Sequence, residues 1–284
     1  MPTPSRMLYA AQRATLYVTG SPRVLAIQSA ALDISNPIDD VLVFGKIGSA
    51  NRVQKEVSKT KITLKYFPMV EAGLGSGLSA TDVQTLINQS LSGTYSTIVV
   101  EPNGFTASGI LTNMSFDASV NSFVSSDLTF EGLGTPTTSD PVGTISSDSY
   151  NDAGGFIPTT VTPITHNLVS LYGSDFTTQL SGTIANAKFS FDIPNETLSS
   201  LGSTITGGQA GSVYDGNRIL AKPPFKATLT VDGTSAEPAY KANFSALAVK
   251  LPKGIVTSKS YNQGVGTIGA TYSYTIEDVN VEWS

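Results

Sequence analysis

Short runs in which apolar and polar residues alternate recur along most of the chain, and turns rich in Gly, Pro, Asn and Ser separate them. Alternation with a period of two gives a β-strand one buried face and one wet face. Thr15 to Thr19 and Val24 to Ile34 flank the turn Gly20-Ser21-Pro22 and predict a hairpin. Similar runs predict strands at 41–44, 61–67, 96–101, 109–115 and 125–131. The pattern therefore predicts an all-β fold.

One segment has the period of a helix instead. Ser79 is a capping residue, Asp82 follows three residues later as its capping-box partner, and Gly93 ends the segment. A further single helical turn is predicted at Asn36-Pro37-Ile38-Asp39, because an Asn cap precedes a proline at a first helical position. The apolar face of the longer helix consists of Val83, Leu86, Ile87 and Leu91.

Short sequence words recur in the same order in the two halves of the chain. Such order predicts that one fold unit is used twice. The paired words are Asp33-Ile34-Ser35-Asn36 with Asp192-Ile193-Pro194-Asn195, Asn51-Arg52-Val53 with Asn217-Arg218-Ile219, Lys61-Ile62-Thr63-Leu64 with Lys226-Ala227-Thr228-Leu229, and Thr129-Phe130-Glu131 with Thr275-Ile276-Glu277.

The length of 284 residues leaves room for two domains of ordinary size. A stretch dense in Gly, Pro, Ser, Thr and Asp, with few aliphatic residues, marks the boundary between them. The predicted organisation is an N-terminal arm at 1–13, a first β domain at 14–135, a linker or long loop at 136–163 and a second β domain at 164–284.

Composition narrows the function classes. The chain has 17 Lys plus Arg against 22 Asp plus Glu, which argues against a basic patch that grips nucleic acid. Cysteine is absent, so disulfides and thiolate metal sites are excluded. We expect no signal peptide and no membrane-spanning segment, because the first residues lack an apolar core and no run of about 18 apolar residues occurs.

Candidate chemistry is sparse. The Gly-rich segment Gly73–Gly77 precedes the helix, but it lacks the sixth glycine and the Lys-Ser/Thr of phosphate-binding loops. His166 is the sole histidine, and the acidic pairs Asp39-Asp40 and Asp148 with Asp152 show no ligand pattern. We therefore predict no catalytic residue, no metal site and no cofactor, and a protein that is not an enzyme.

A longer pattern resembles one protein family. A polar loop at 45–59 and the helix from Ser79 to Leu91 precede the segment GxLTNxSFDxSVxxxxxSxLTFEGLG from Gly109 to Gly134. This arrangement resembles the tail tube (major tail) protein of long-tailed bacteriophages. The resemblance implies two tandem β-sandwich or half-barrel units that join their sheets to those of neighbouring subunits. The resulting rings would stack into a tube with a central channel for DNA.

The resemblance also implies contacts and partners. The long loop, at 46–59 and again at 203–222, would clasp neighbouring subunits and rings. A homotrimeric ring would supply six units, whereas one tube unit with an appended immunoglobulin-like domain would form a hexamer. Further partners would be the tape-measure protein and the tail terminator and initiator proteins. The candidate contact residues are Lys46, Asn51, Arg52, Lys55, Asn217 and Arg218.

The implied location is the virion tail, assembled in the cytoplasm of a host bacterium. Genomic DNA would pass through the channel without specific binding, since a wall of acids and hydroxyls does not hold phosphates. Two other interpretations stay open. One is another virion β-protein, such as a distal-tail or baseplate ring or a capsid decoration protein. The other is a glycan-binding β-sandwich adhesin, although Trp283 is the sole tryptophan.

Overall fold

The computed structural model of the protein describes residues 12–35, 38–42, 49–54, 57–68, 78–101, 104–134, 136–138, 164–198, 218–244, 247–263 and 270–284. In these ranges the chain is all-β with one α-helix, which confirms the predicted fold class. In the same ranges, no helix has the length and apolar character needed to cross a membrane.

The described residues of the first half form nine strands, and six of these strands close into a barrel. Going round, the order is β7, β6, β1, β2, β5, β8 and back to β7, with every pair antiparallel. The apolar member of each alternation points inward and fills this six-stranded barrel. The strands are β1 (Gln12–Val18), β2 (Ser21–Ser35), β3 (Ile38–Leu42), β4 (Ser49–Gln54), β5 (Lys59–Tyr66), β6 (Ser96–Glu101), β7 (Phe105–Ser119), β8 (Ser125–Leu133) and β9 (Thr137–Thr138).

The helix α1 (Ala80–Ser92) joins β5 to β6 and has the predicted ends. The Ser79 hydroxyl accepts a hydrogen bond from the Asp82 N–H, and the Asp82 carboxylate accepts one from the Ser79 N–H. Gly93 adopts the left-handed conformation with φ of 71°, which glycine enters without strain. Val83, Leu86 and Ile87 are buried, as predicted, whereas Leu91 is exposed.

The described strands of the second half fall into three groups. In the first, β17 pairs with β18, β18 with β14, and β14 with β11; in the second, the order is β10, β15, β16, β19; in the third, β12 pairs with β13. A short 3₁₀ helix, His166–Leu168, precedes β10. The strands are β10 (Val169–Tyr172), β11 (Ile184–Asp192), β12 (Asn195–Leu198), β13 (Arg218–Ala221), β14 (Lys226–Gly233), β15 (Lys241–Phe244), β16 (Leu247–Lys250), β17 (Ile255–Asn262), β18 (Thr271–Asp278) and β19 (Glu282–Trp283).

The strand order of the first half recurs in the second. β2–β5–β8–β7 corresponds to β11–β14–β18–β17, and a two-stranded arm follows the first strand of each group, β3–β4 in one and β12–β13 in the other. The register matches as well, because Asp33 lies opposite Lys61 and Asp192 lies opposite Lys226. A duplication would produce this parallel. The halves differ in closure, since β1 pairs with β2 whereas no pairing joins β10 to β11 within the described residues.

The hydrophobic core is continuous across the two halves. β7 pairs with β11 along Asn113 to Ser119, so the second sheet extends directly from the barrel. The ring of Phe116 on β7 stacks on Phe244 with centroids 5.0 Å apart and lies 6.4 Å from Phe189. Burying these aromatic faces couples the packing of one half to that of the other.

Two local predictions differ from the structure. Ile38–Leu42 is strand β3, so the helical turn predicted at Asn36-Pro37-Ile38-Asp39 is wrong in its described part, because the backbone pairs with β4. The loop predicted at 46–59 contains β4, and the one at 203–222 contains β13. Local sequence did not reveal these strands because each is stabilised by a partner strand outside the predicted loop.

Candidate functional site: a polar face shared by both halves

Eight strands form one continuous sheet in the order β2, β5, β8, β7, β11, β14, β18, β17. One surface of this sheet packs on the core, and the other is polar. Directly opposed residues in antiparallel strands lie on the same face, so the register identifies its members. We call the following residues the polar face: Ser29, Ala31, Asp33, Lys61, Thr63, Lys65, Asp127, Thr129, Glu131, Asn113, Ser115, Asp117, Ser119, Asn186, Lys188, Ser190, Asp192, Lys226, Thr228, Thr230, Asp232, Ser273, Thr275, Glu277, Ser258, Ser260 and Asn262.

Side-chain hydrogen bonds join neighbouring strands across this face. The Asn113 amide on β7 donates to the Asp192 carboxylate on β11 over 2.5 Å, and the Ser119 hydroxyl donates to the Asn186 side-chain oxygen over 3.3 Å. Further along the sheet, Thr230 and Thr275 hydroxyls lie 3.3 Å apart. These bonds link side chains from both halves, so the polar face is one surface rather than two.

Charges on the polar face are mixed and acidic overall. Seven carboxylates outnumber four lysines, and each lysine lies directly opposite a carboxylate on a neighbouring strand. Lys226 also forms an ion pair with Glu277 at 3.1 Å. Pairing of this kind leaves no cluster of positive charge to hold a phosphate backbone. The opposed pairs are Lys61 with Glu131, Lys65 with Asp127, Lys188 with Asp117, and Lys226 with Asp192.

The predicted contact residues lie on the two arms or outside the described residues. Asn51 and Arg52 are on β4, opposite Val41 and Asp40 of β3, and Arg218 is on β13, opposite Leu198. Both arms leave the polar sheet at corresponding ends, after β2 and after β11. Lys46, Lys55 and Asn217 lie outside the described residues. The structure therefore places Asn51, Arg52 and Arg218 on equivalent arms, outside the strands of the polar face.

The second arm packs on the end of the first half. Ile219 is buried against Val57, Ile110 and Leu133, and its N–H donates to the Tyr95 hydroxyl over 3.3 Å. Burial raises the pKa of that Tyr95 hydroxyl. Lys222 forms an exposed ion pair with Glu196 at 2.8 Å. This arm is thus tied to its own chain, which limits how far it can reach as a clasp.

Other candidates from the sequence have structural roles or lie outside the described residues. His166 is half-buried on the short 3₁₀ helix, and the Gly73–Gly77 segment is not described. Trp283 packs edge-on against Phe189 and Phe191, with ring centroids 5.5 Å and 5.7 Å away. Within the described ranges, no three His, Cys, Asp or Glu side chains are grouped as a metal site would require.

The polar face itself was not predicted. Each strand carries the signal, because Ser, Thr, Asn, Asp, Glu and Lys occupy the alternate positions that form this face, with Ala31 on β2 as the exception. A single strand does not reveal its neighbours, however, and the face exists only through the strand order. The join between β7 and β11, which unites the halves, has no local sequence signature.

Comparison with known proteins identifies no family. No protein-family model matches the chain, and no curated protein matches it. Among solved structures, the chain is similar to a protein from the "Virion of native gene transfer agent (GTA) particle", with a TM-score of 0.31 and 14% identity over 44% of this chain and 95% of that one. A likeness this small carries no argument about fold or function, so the proposal below is drawn from the residues themselves.

Proposed function

We propose that the protein is a structural virion component that assembles into stacked rings, the tail tube of a bacteriophage, with the polar face lining the channel. The observation that carries this proposal is the continuous eight-stranded polar face. In the described part of the chain, its last strand β17 has one edge without a strand partner, and residues 29–35 of its first strand β2 have a partner on one side alone. Unpaired edges favour association with further strands. Joining copies edge to edge would satisfy their backbone hydrogen bonds and close the sheet into a ring.

The size of the sheet favours three copies per ring. Three copies would supply 24 strands at a spacing of about 4.8 Å, giving a backbone radius of about 18 Å before strand tilt widens it. Side chains take up about 5 Å of that radius, judged from the spacing of packed sheets. The opening that remains, about 13 Å in radius, admits duplex DNA with a radius of about 10 Å.

Other copy numbers fit DNA less well. Two copies would give 16 strands and a backbone radius of about 12 Å, which side chains would reduce to about 7 Å. Six copies that each contribute all eight strands would give 48 strands and a backbone radius of about 37 Å, far wider than a duplex. A hexamer with one unit per copy in the wall would also have 24 strands, but the pairing of β7 with β11 joins both units in one sheet, which favours the trimer.

The charges of the polar face suit a channel through which DNA slides. Binding to duplex DNA is strong where lysines and arginines displace counterions from several phosphates. Every lysine of this face is opposed by a carboxylate, and the remaining carboxylates repel the backbone. We propose no catalytic role for these side chains. The tape-measure protein and the proteins that start and end the tail would be further partners, in a virion assembled in the bacterial cytoplasm.

Electron microscopy of the purified chain tests the proposal. We expect tubes in negative stain at high protein concentration or after addition of an initiator complex, and threefold symmetry in end-on averages. Single rings that never stack would favour the alternative, a distal-tail or baseplate ring. Discrete monomers under every condition would contradict assembly altogether.

A further inference from the structure

The chain contains a junction between two strand edges that belong to different halves. β7 is the last strand of the first four-strand group and β11 is the first strand of the second. They pair antiparallel, with Ser115 opposite Ser190 and Phe116 opposite Phe189. The structure therefore shows, within a single chain, how the last strand of one group pairs with the first strand of the next.

The same two kinds of edge occur at the ends of the eight-stranded sheet. β17 corresponds to β7, and all eight of its residues are exposed. β2 corresponds to β11, and its residues 29–35 pair with β5 on one side. Among the described residues no strand covers the outer edge of β17 or the other side of this part of β2. The free edge of β17 in one copy could thus supply the strand partner that this part of β2 lacks in a second copy.

The internal register transfers to the ends of the sheet. Because Lys61 corresponds to Lys226, Lys65 corresponds to Thr230, and their partners Asp127 on β8 and Thr275 on β18 correspond to each other. Strand pairing thus differs by two residues from the sequence match of Thr129 with Thr275. Ser115 lies opposite Asp127, and Ser258 lies opposite Thr275. Ser190 lies opposite Thr228 and Ala31 opposite Thr63, at corresponding positions of β14 and β5. Ser258 is therefore the counterpart of Ser115, and Ala31 is the counterpart of Ser190.

We infer that β17 of one copy pairs antiparallel with β2 of the next copy, with Ser258 opposite Ala31 and Lys259 opposite Ala30. The inference rests on the proposed function, because it names the contact that would close the ring. In this register the polar face continues without a step, since Ser258 and Ala31 both belong to it. Small side chains at Ala30, Ala31 and Ser260 let the two backbones approach to pairing distance.

Each of the two edges carries an exposed isoleucine. Within the chain, Ile193 follows β11, is 1% exposed and donates its N–H to the Thr112 carbonyl of β7. Because Asp192 corresponds to Asp33, the counterpart of Ile193 is Ile34 on β2, which is 43% exposed. Ile255 on β17 is 68% exposed and lies opposite Glu277, so it is the counterpart of Asn113; Thr257 is the extra residue of a β-bulge between Val256 and Ser258. Pairing of two copies would therefore place Ile255 opposite Asp33 and reduce its exposure to water.

Cysteine pairs test the register directly, because the chain has no cysteine of its own. Opposed residues in antiparallel strands have Cα atoms about 4.5 or 5.5 Å apart, within the range of about 4.4–6.8 Å that a disulfide needs. We expect Ser258→Cys mixed with Ala31→Cys to form a disulfide-linked dimer on mild oxidation of assembled protein. The double variant should form linked species up to a closed trimer.

Two further cysteine pairs serve as controls for the rate of disulfide formation. Ser115→Cys with Ser190→Cys probes the internal junction and should give an intrachain disulfide at a similar rate. The second control mixes Ser258→Cys with Asp33→Cys. These two positions lie on the same face but two residues out of the proposed register, so their disulfide should form at least tenfold more slowly. Dimers from the out-of-register pair instead would overturn the proposed register.

A second measurement concerns the edge residue Ile255. Ile255→Asp would place a carboxylate opposite Asp33 of the next copy, so it should raise the protein concentration needed for assembly at least tenfold. Because Ile255 is 68% exposed, the thermal midpoint of the monomer should change little. Val279→Asp is the matched control, since Val279 is 58% exposed in the same half but lies outside β17 and β2. Equal effects of the two changes would contradict the contact.

Microscopy of the same samples separates the two levels of the proposal. Tubes that assemble without the Ser258–Ala31 disulfide, while the internal control forms, would overturn this contact and leave the tube proposal intact. Absence of any assembly from the wild-type chain would overturn both.

Discussion

At the residue scale, two glycines fix how closely β7 and β8 approach. A Cβ on Gly132 would lie 2.0 Å from the Ser108 carbonyl oxygen, and one on Gly109 would lie 2.7 Å from the Glu131 carbonyl oxygen. Both contacts are with backbone, which cannot rotate away as a side chain would. Gly109 and Gly132 are therefore required by the close packing of their strands.

We expect Gly132→Ala to lower the free energy of unfolding by about 2 kcal/mol or more, because β7 and β8 must separate to admit the methyl group. Gly173→Ala is the control, since its Cβ would meet Leu180 at an ordinary contact distance of 3.6 Å. Urea unfolding of both variants checks the prediction. A loss for Gly173→Ala as large as that for Gly132→Ala would show that loss of glycine flexibility, rather than strand contact, is responsible.

Because Tyr66 is buried, we predict that the protein loses folding stability in alkali. Burial raises the pKa of the Tyr66 hydroxyl from 10.0 to about 12, although the Ser126 hydroxyl partly offsets this shift. As the pH rises, Tyr66 loses its proton in the unfolded chain before it does in the folded one. The stabilisation that the buried, protonated Tyr66 contributes is therefore complete below pH 10 and is lost as the pH rises toward 12. We expect a slope of about 1.4 kcal/mol per pH unit in that window to be absent in Tyr66→Phe. Denaturant unfolding at closely spaced pH values measures it, and equal slopes in both proteins would contradict it.

At the element scale, Asp82 connects α1 to the first hairpin. One oxygen of its carboxylate accepts hydrogen bonds from the Ser79 N–H, the Ser79 hydroxyl and the Arg23 guanidinium at 2.8 to 3.0 Å. Burial alone would raise the pKa of Asp82, but these hydrogen bonds lower it below its ordinary value. The helix start is therefore anchored both to its own cap and to β2.

The cap gives a prediction with a defined pH direction. Because the folded pKa of Asp82 is lowered, its contribution is present above pH 3.8 and is lost as the pH falls through the folded value. We expect Asp82→Asn to cost about 1 kcal/mol at neutral pH. In a double-mutant cycle with Arg23→Gln we expect a coupling energy of about 1 kcal/mol. A coupling energy near zero would show that Arg23 and Asp82 act independently.

At the scale of the whole molecule, the continuous eight-stranded polar face requires both halves of the chain. The face continues from β2 to β17 because β7 of the first half pairs with β11 of the second. Its lysines are neutralised partly by carboxylates from the other half, as Lys188 is opposed by Asp117. The join of the two halves thus sets both the width of the sheet and its charge balance.

Reversing acidic charges on the polar face should create DNA binding. In the triple variant Asp117→Lys, Asp127→Lys and Asp232→Lys, lysines would gather without opposing carboxylates. We expect its unassembled chain to bind a short duplex at least tenfold more tightly than wild type, with an affinity that falls steeply with salt. Fluorescence anisotropy at two salt concentrations measures this.

The control carries the same change in net charge away from the polar face. Glu196, Glu237 and Glu282 are exposed and lie outside it, so their triple replacement by Lys should bind more weakly than the polar-face variant. Equal binding by both triple variants would mean that net charge, rather than the layout of this face, governs the interaction with DNA.

Local sequence determined the all-β class, the single helix in the described part of the chain with its Ser79 cap and Gly93 end, and the side of each strand that is polar. These features depend on residues a few positions apart, so periodicity and capping chemistry suffice to predict them. The repeated words also placed the two arms at equivalent positions.

Only the tertiary structure decided the closure of six strands into a barrel, the join of β7 to β11 and the existence of one polar face. Each depends on partners far apart in the chain, such as Asn113 and Asp192, which are 79 residues apart. An alternating strand offers its two edges equally to any neighbour, so its sequence does not name its partner. The choice is made by how the aromatic core packs, with Phe116 lying between Phe189 and Phe244 from the other half.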